Sequence, residues 1–98
     1  MYQFIFSPTA LSAYKDSVVW YKERSLKGAE NFVQQVKDKI DKICHSPFRY
    51  PKIYKDFRET PMRKYPYSLI YFLNEDKKLV VVTSVFHHKR NPRKKYLK

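Results

Sequence analysis

With 98 residues, the chain is long enough for one hydrophobic core and too short for two. A hydrophobic fraction of 43% and an aromatic fraction of 17% exclude a disordered chain, and the single cysteine excludes an internal disulfide framework. The net charge of +12 is uneven: residues 1–48 carry 7 Lys+Arg against 5 Asp+Glu and residues 49–98 carry 14 against 4, which predicts an anionic partner, with nucleic acid as the leading candidate.

The first half of the chain predicts one strand and two helices. Residues 2–6 alternate in a pattern typical of a short strand. A serine-proline pair and apolar residues at spacings of three and four predict a first helix over about residues 8–24. Ser25 precedes a second apolar stripe, which predicts a second helix over about residues 25–45. Because the connection is so short, the two helices should pack as an antiparallel hairpin.

The second half predicts three strands. Residues 58–64, interrupted by Pro61, indicate an edge or bulged strand, whereas residues 67–73 and 79–86 indicate stronger strands in an antiparallel meander. The element order β-α-α-β-β-β predicts an α+β fold in which a helical hairpin covers one face of an antiparallel sheet. The other face of the sheet is then free to bind.

We expect one domain over residues 1–98, with a basic tail from about Pro92. No apolar run of membrane-spanning length and no amino-terminal signal pattern is apparent, so we expect a cytoplasmic protein without membrane association. Cys44 lies among apolar positions of the second predicted helix, and nothing beside it indicates a cysteine enzyme. We therefore expect a buried structural thiol.

The last predicted strand ends in two imidazoles followed by two cations, His87-His88-Lys89-Arg90. Adjacent residues of an extended strand point to opposite faces, so Lys89 should align with His87 and Arg90 with His88. Imidazole transfers protons near neutral pH and guanidinium stabilises charge on phosphate, so the set could support metal-free phosphodiester cleavage. The same residues could instead form a surface that binds nucleic acid without cleaving it, because binding needs no general base. Both alternatives stay open. No third ligand stands at a supporting spacing, and we expect neither a metal ion nor a cofactor.

Further basic residues precede the central strands. Pleat alternation would place Arg63 and Tyr65 on one face and Lys64 on the other. Arg58 and Arg63 are then candidate phosphate clamps, because guanidinium binds phosphate in a bidentate manner. For the tyrosines that follow, we favour packing in the core over base stacking.

The tail carries Arg93, Lys94 and Lys95, which predict non-specific, salt-dependent affinity for phosphates. Tyr96 has a second possible role as a stacking or proton-transfer group folded back over the sheet. Near the end of the first helix, Trp20-Tyr21 predicts packing in the core or between the helices.

A series of short motifs spans nearly the whole chain. They are Trp20-Tyr21, Ser25 with Ala29 and Phe32, Pro47, Tyr50-Pro51, Phe57-Arg58, Met62-Arg63, Tyr65-Pro66-Tyr67 and Val85-Phe86-His87 to Pro92. Their order and spacing resemble the RelE/ParE toxin superfamily. The resemblance implies the toxin of a bacterial type II toxin-antitoxin module, held inactive by a cognate antitoxin, which the charge suggests is acidic.

The resemblance leaves two cellular targets of the toxin open. RelE-like members cut messenger RNA on the ribosome without a metal, whereas ParE-like members inhibit DNA gyrase and do not use that catalytic set. We expect the ribosome-dependent endonuclease, with the gyrase inhibitor and a non-enzymatic nucleic-acid-binding module as alternatives. Under the first hypothesis, Arg63 and Arg90 clamp the phosphate, His88 transfers the proton, and Arg58 and Tyr96 have supporting roles. The expected nucleic-acid-binding residues are Arg58, Lys64, His87, Lys89, Arg93, Lys94 and Lys95.

Overall fold

The computed structural model describes residues 1–89 and confirms the predicted α+β architecture. Its elements are β1 (Gln3–Phe6), α1 (Pro8–Arg24), α2 (Leu26–His45), β2 (Lys52–Tyr54), β3 (Phe57–Pro61), β4 (Tyr67–Asn74) and β5 (Leu79–His87). Both helices pack on one side of a single five-stranded sheet. Neither helix in this part of the chain has the length and apolar composition needed to cross a membrane.

The sheet has the strand order β1-β5-β4-β3-β2. The predicted meander of β3, β4 and β5 is antiparallel, and the short strand β2, which was not predicted, extends it at one edge. The prediction of an antiparallel sheet is wrong for β1, which pairs in parallel with β5. Parallel neighbours need a long connection between them, and the helical hairpin with the rest of the meander supplies it.

Two serines define the helical hairpin. Ser7 Oγ accepts a hydrogen bond from the Ala10 N–H at 3.2 Å and so caps α1. Ser25 ends α1 by donating its N–H to the Tyr21 carbonyl at 2.7 Å, and its Oγ accepts the Gly28 N–H at 3.0 Å at the start of α2. One residue therefore separates the helices, which leaves them no arrangement other than an antiparallel pair.

The main core contains an aromatic cluster centred on Phe32, which is fully buried. Its ring centroid lies 5.0 Å from that of Tyr21 on α1, 5.1 Å from that of Tyr67 on β4 and 5.3 Å from that of Tyr65 in the β3–β4 turn. Aromatic pairs at these separations attract beyond the area that they bury. Phe32 thus joins both helices to the sheet, and the predicted core packing of these tyrosines is confirmed.

The sheet face opposite the helices is apolar at its centre. Strand β4 directs Tyr67, Leu69 and Tyr71 toward the helices, whereas Ile70 and Phe72 belong to a separate cluster on the opposite face. Ile70 has no exposed surface. The face expected to be free for binding therefore has an apolar centre, and its polar side chains lie toward the ends of the strands.

Burial also affects the ionisable groups of the core. Cys44 is buried as predicted, and burial raises the pKa of its thiol, with a further contribution from Asp41. Tyr71 is fully buried and donates its hydroxyl to the Pro47 carbonyl at 3.2 Å. Burial raises the pKa of Tyr71 to about 12, although the neighbouring Arg58 charge opposes this shift.

We predict that the protein loses stability between about pH 10 and 12. The pKa of folded Tyr71 lies above its ordinary value of 10.0, so its contribution is complete below pH 10 and is lost as the pH rises toward 12. A shift of this size corresponds to about 2–3 kcal/mol. Urea unfolding at several pH values should show a shallower alkaline loss for Tyr71→Phe. The exposed control Tyr54→Phe should keep the wild-type slope, and equal slopes in all three proteins would contradict the assignment.

Candidate functional site

The two histidines at the end of β5 serve different surfaces. The His87 ring lies against Tyr67 on the helix side of the sheet, with centroids 4.9 Å apart. His88 Nε2 forms a 2.9 Å hydrogen bond with the hydroxyl of the buried Ser68. The His88 N–H also donates to the Pro66 carbonyl at 2.9 Å, which fixes the backbone at the strand end. The predicted divergence of the two imidazoles is therefore observed.

Ser68 and His88 lie on the sheet face opposite the helices, because Ser68 alternates with Tyr67 and Leu69 along β4. Glu59 shares this face, since it pairs with Ile70 in the β3–β4 register. Its side chain is half-buried and its Oε1 atom has no contact with solvent. Glu59 was not among the expected site residues, and the alternation of β3 against β4 is the sequence signal that could have identified it.

Arg58 lies on the helix side of β3, opposite Tyr71 in the register. It is only 9% exposed, its Nη1 donates to the Tyr50 carbonyl, and its guanidinium lies 5.4 Å from the Phe48 ring centroid. This guanidinium links the segment after α2 to the sheet. The structure thus surrounds Arg58 with protein groups, whereas a phosphate clamp was expected at this position.

Arg63 and Lys64 lie in the β3–β4 turn. Strand β3 ends at Pro61, and the Met62 N–H donates to the Tyr67 carbonyl at 2.9 Å to close the turn. Pleat alternation therefore stops before these residues, and the prediction that they point to opposite faces is wrong. Both side chains line one cleft of about 220 Å³ together with residues of α2, namely Gln35, Asp38, Lys39 and Lys42.

Within residues 1–89, the structure does not bring the two predicted catalytic residues, Arg63 and His88, together. Arg63 lines the cleft beside α2, whereas His88 is bonded to Ser68 on the opposite side of the sheet. Lys89 lies with His87 on the helix side, in a cleft at the end of α1. Five further predicted site residues, Arg90, Arg93, Lys94, Lys95 and Tyr96, lie outside the described residues.

We predict that Arg58 is needed for stability and Arg63 is not. Arg58→Gln removes the donor to the Tyr50 carbonyl and should lower the free energy of unfolding by about 1–3 kcal/mol. Arg63→Gln is the matched control on an exposed turn and should change it by less than about 0.5 kcal/mol. Urea denaturation of both variants checks this difference. Equal stabilities for the two variants would show that the buried guanidinium is dispensable.

Two comparisons with known proteins address the identity of the chain. Residues 4–92 match the model of a family described as the ParE toxin of the type II toxin-antitoxin system parDE. No curated protein sequence matches the chain.

Solved structures share the fold. A chain of the chromosomal ParDE system from P. aeruginosa superposes with a TM-score of 0.74 at 12% identity, covering 89% of this chain and 96% of that one. A chain of the intact E. coli RelBE toxin-antitoxin complex superposes with a TM-score of 0.65 at 22% identity, covering 92% of this chain and 100% of that one. The isolated E. coli RelE toxin superposes with a TM-score of 0.65 at 22% identity, covering 93% of this chain and 88% of that one.

Proposed function

Because the chain belongs to the ParE toxin family and is the toxin of a type II toxin-antitoxin module, we propose that it acts as a non-enzymatic inhibitor of DNA gyrase. Its partner in the resting module is a cognate antitoxin. Membership of the family does not identify the cellular target of the toxin, because the superfamily resemblance implies both gyrase inhibitors and ribosome-dependent ribonucleases.

The separation of His88 from Arg63, the two predicted catalytic residues within residues 1–89, carries this proposal. Cleavage of a phosphodiester needs a proton-transfer group within hydrogen-bond reach of the attacking hydroxyl and a cation at the same phosphate. His88 was the expected proton-transfer residue and Arg63 an expected clamp, yet they lie on opposite sides of the sheet. Arg58, the expected supporting residue, already binds the Tyr50 carbonyl. This arrangement supports inhibition by binding.

The unequal charge distribution also supports a binding mechanism. Within residues 1–89, the one ion pair between side chains joins Lys52 and Asp56. The cleft beside α2 holds four cations, Lys39, Lys42, Arg63 and Lys64, against one carboxylate, Asp38, so its formal charge is positive. Such a surface accelerates association with an anionic partner and needs no catalytic group. An acidic antitoxin segment would be attracted by the same charge.

We predict that the purified protein blocks supercoiling of relaxed plasmid by purified DNA gyrase and ATP. His88→Ala should inhibit as strongly as wild type, within about twofold, because no proton transfer is needed. Agarose gels of plasmid topoisomers measure both. A mock preparation from cells that do not express the protein serves as a negative control. Unchanged supercoiling with a folded protein that still arrests growth would contradict the proposal.

Messenger RNA cleavage is the second candidate, and one observation favours it. His88, Ser68 and Glu59 occupy the same face of the sheet, which places an imidazole and a carboxylate near one strand end. These are the group types that transfer protons near neutral pH. Under this hypothesis His88→Ala abolishes toxicity, so the same variant separates the two candidates.

A further inference from the structure

An aromatic cleft with a basic rim lies where the end of α1 meets the ends of β4 and β5. Its volume is about 320 Å³, and it is lined by Trp20, Tyr21, Pro66, Tyr67, His87 and Lys89. It is separate from the cleft beside α2 and from the sheet face that carries His88. Trp20-Tyr21 was expected to pack in the core or between the helices, with an interface role as the alternative, and neither proposed function uses this cleft.

The aromatic walls of the cleft are held in place from behind. Tyr21 and Tyr67 both contact Phe32 in the main core, with centroid distances of 5.0 Å and 5.1 Å. Trp20 lies edge-on to Tyr21 at 5.0 Å. Because these side chains are fixed before a ligand arrives, binding would cost little side-chain entropy.

Trp20 is 48% exposed, so about half of the largest aromatic residue type faces solvent. The Arg24 guanidinium lies 3.7 Å from the Trp20 ring centroid, and its Nη1 donates to the Trp20 carbonyl at 2.9 Å. This contact places a cation on the indole while leaving about half of the residue exposed. An exposed, oriented indole beside a cleft is typical of a stacking platform.

The charges of the cleft select the class of ligand. Its rim carries Lys89, Arg24 lies on the adjacent indole, and none of the lining residues is acidic. A cationic ligand would be repelled by both groups. An aromatic ligand that carries negative charge would be attracted by Lys89, by Arg24 and by the aromatic walls. The volume of the cleft lies at the small end of the range of about 300–1,000 Å³ found for ligand sites.

We propose that this cleft binds one nucleotide of a single-stranded nucleic acid, with the base stacked on Trp20 and the phosphate contacted by Lys89. A base has a flat face for the indole, and the phosphate supplies the negative charge that the rim attracts. The inference goes beyond the proposed gyrase inhibition, which assigns no contact with nucleic acid to this chain. It gives the toxin a direct contact with nucleic acid.

The test uses the full-length protein and a dye-labelled single-stranded DNA of about ten nucleotides, a length within the site sizes of such proteins. Fluorescence anisotropy measures affinity, and Trp20 emission reports on the site directly because the chain has one tryptophan. We expect binding to quench the emission. Trp20→Ala should weaken binding about tenfold or more, since stacking on an aromatic side chain contributes that much per base.

Two matched controls separate stacking from general charge attraction. An abasic oligonucleotide of the same length and charge should bind wild type and Trp20→Ala equally. Phe48→Ala removes another exposed aromatic residue, 53% exposed and outside the cleft, and should bind the normal oligonucleotide like wild type. Thermal melts should show that Trp20→Ala stays folded.

A second variant tests the phosphate contact. Lys89→Ala should reduce the slope of log affinity against log salt concentration by about one, as expected for the loss of one phosphate contact. The proposal is overturned if folded Trp20→Ala binds the normal oligonucleotide as tightly as wild type. It is equally overturned if bound oligonucleotide leaves Trp20 emission unchanged.

Discussion

The structure depends on the contact of Phe32 with aromatic rings from three other parts of the chain. Tyr21 comes from α1, Tyr65 from the β3–β4 turn and Tyr67 from β4, and each ring centroid lies within 5.3 Å of that of Phe32. Because α1 and α2 are joined through Ser25 alone, fixing α2 on the sheet also fixes α1. One aromatic junction thereby sets both the position of the hairpin and the walls of the cleft at its end.

The same packing divides the functional groups between two surfaces. Tyr67 is held against Phe32, so its neighbour Ser68 must point to the opposite face, and the adjacent histidines at the end of β5 diverge in the same way. His87 therefore faces the aromatic cleft, while His88 bonds Ser68. A chain that shares its fold with the isolated E. coli RelE toxin thus carries its cations and imidazoles on more than one surface.

The sequence predicted the parts of the fold that local rules govern. The serine caps located both helices, and period-two alternation located the three meander strands. Features that depend on distant segments were not predictable: the parallel pairing of β1 with β5, and the burial of Arg58 through the Tyr50 carbonyl. Around Arg63, alternation failed because Pro61 ends the strand. The arrangement of the candidate site residues could therefore not be predicted from alternation alone.

The central claim is that this toxin acts by binding and not by cutting RNA. Mapping the 5′ ends of messenger RNA in cells shortly after induction tests it most directly, with His88→Ala induced in parallel. We expect growth arrest without new ends at ribosomal A-site codons, in both proteins alike. New A-site ends that appear with wild type and disappear with His88→Ala would contradict the account and establish a ribonuclease.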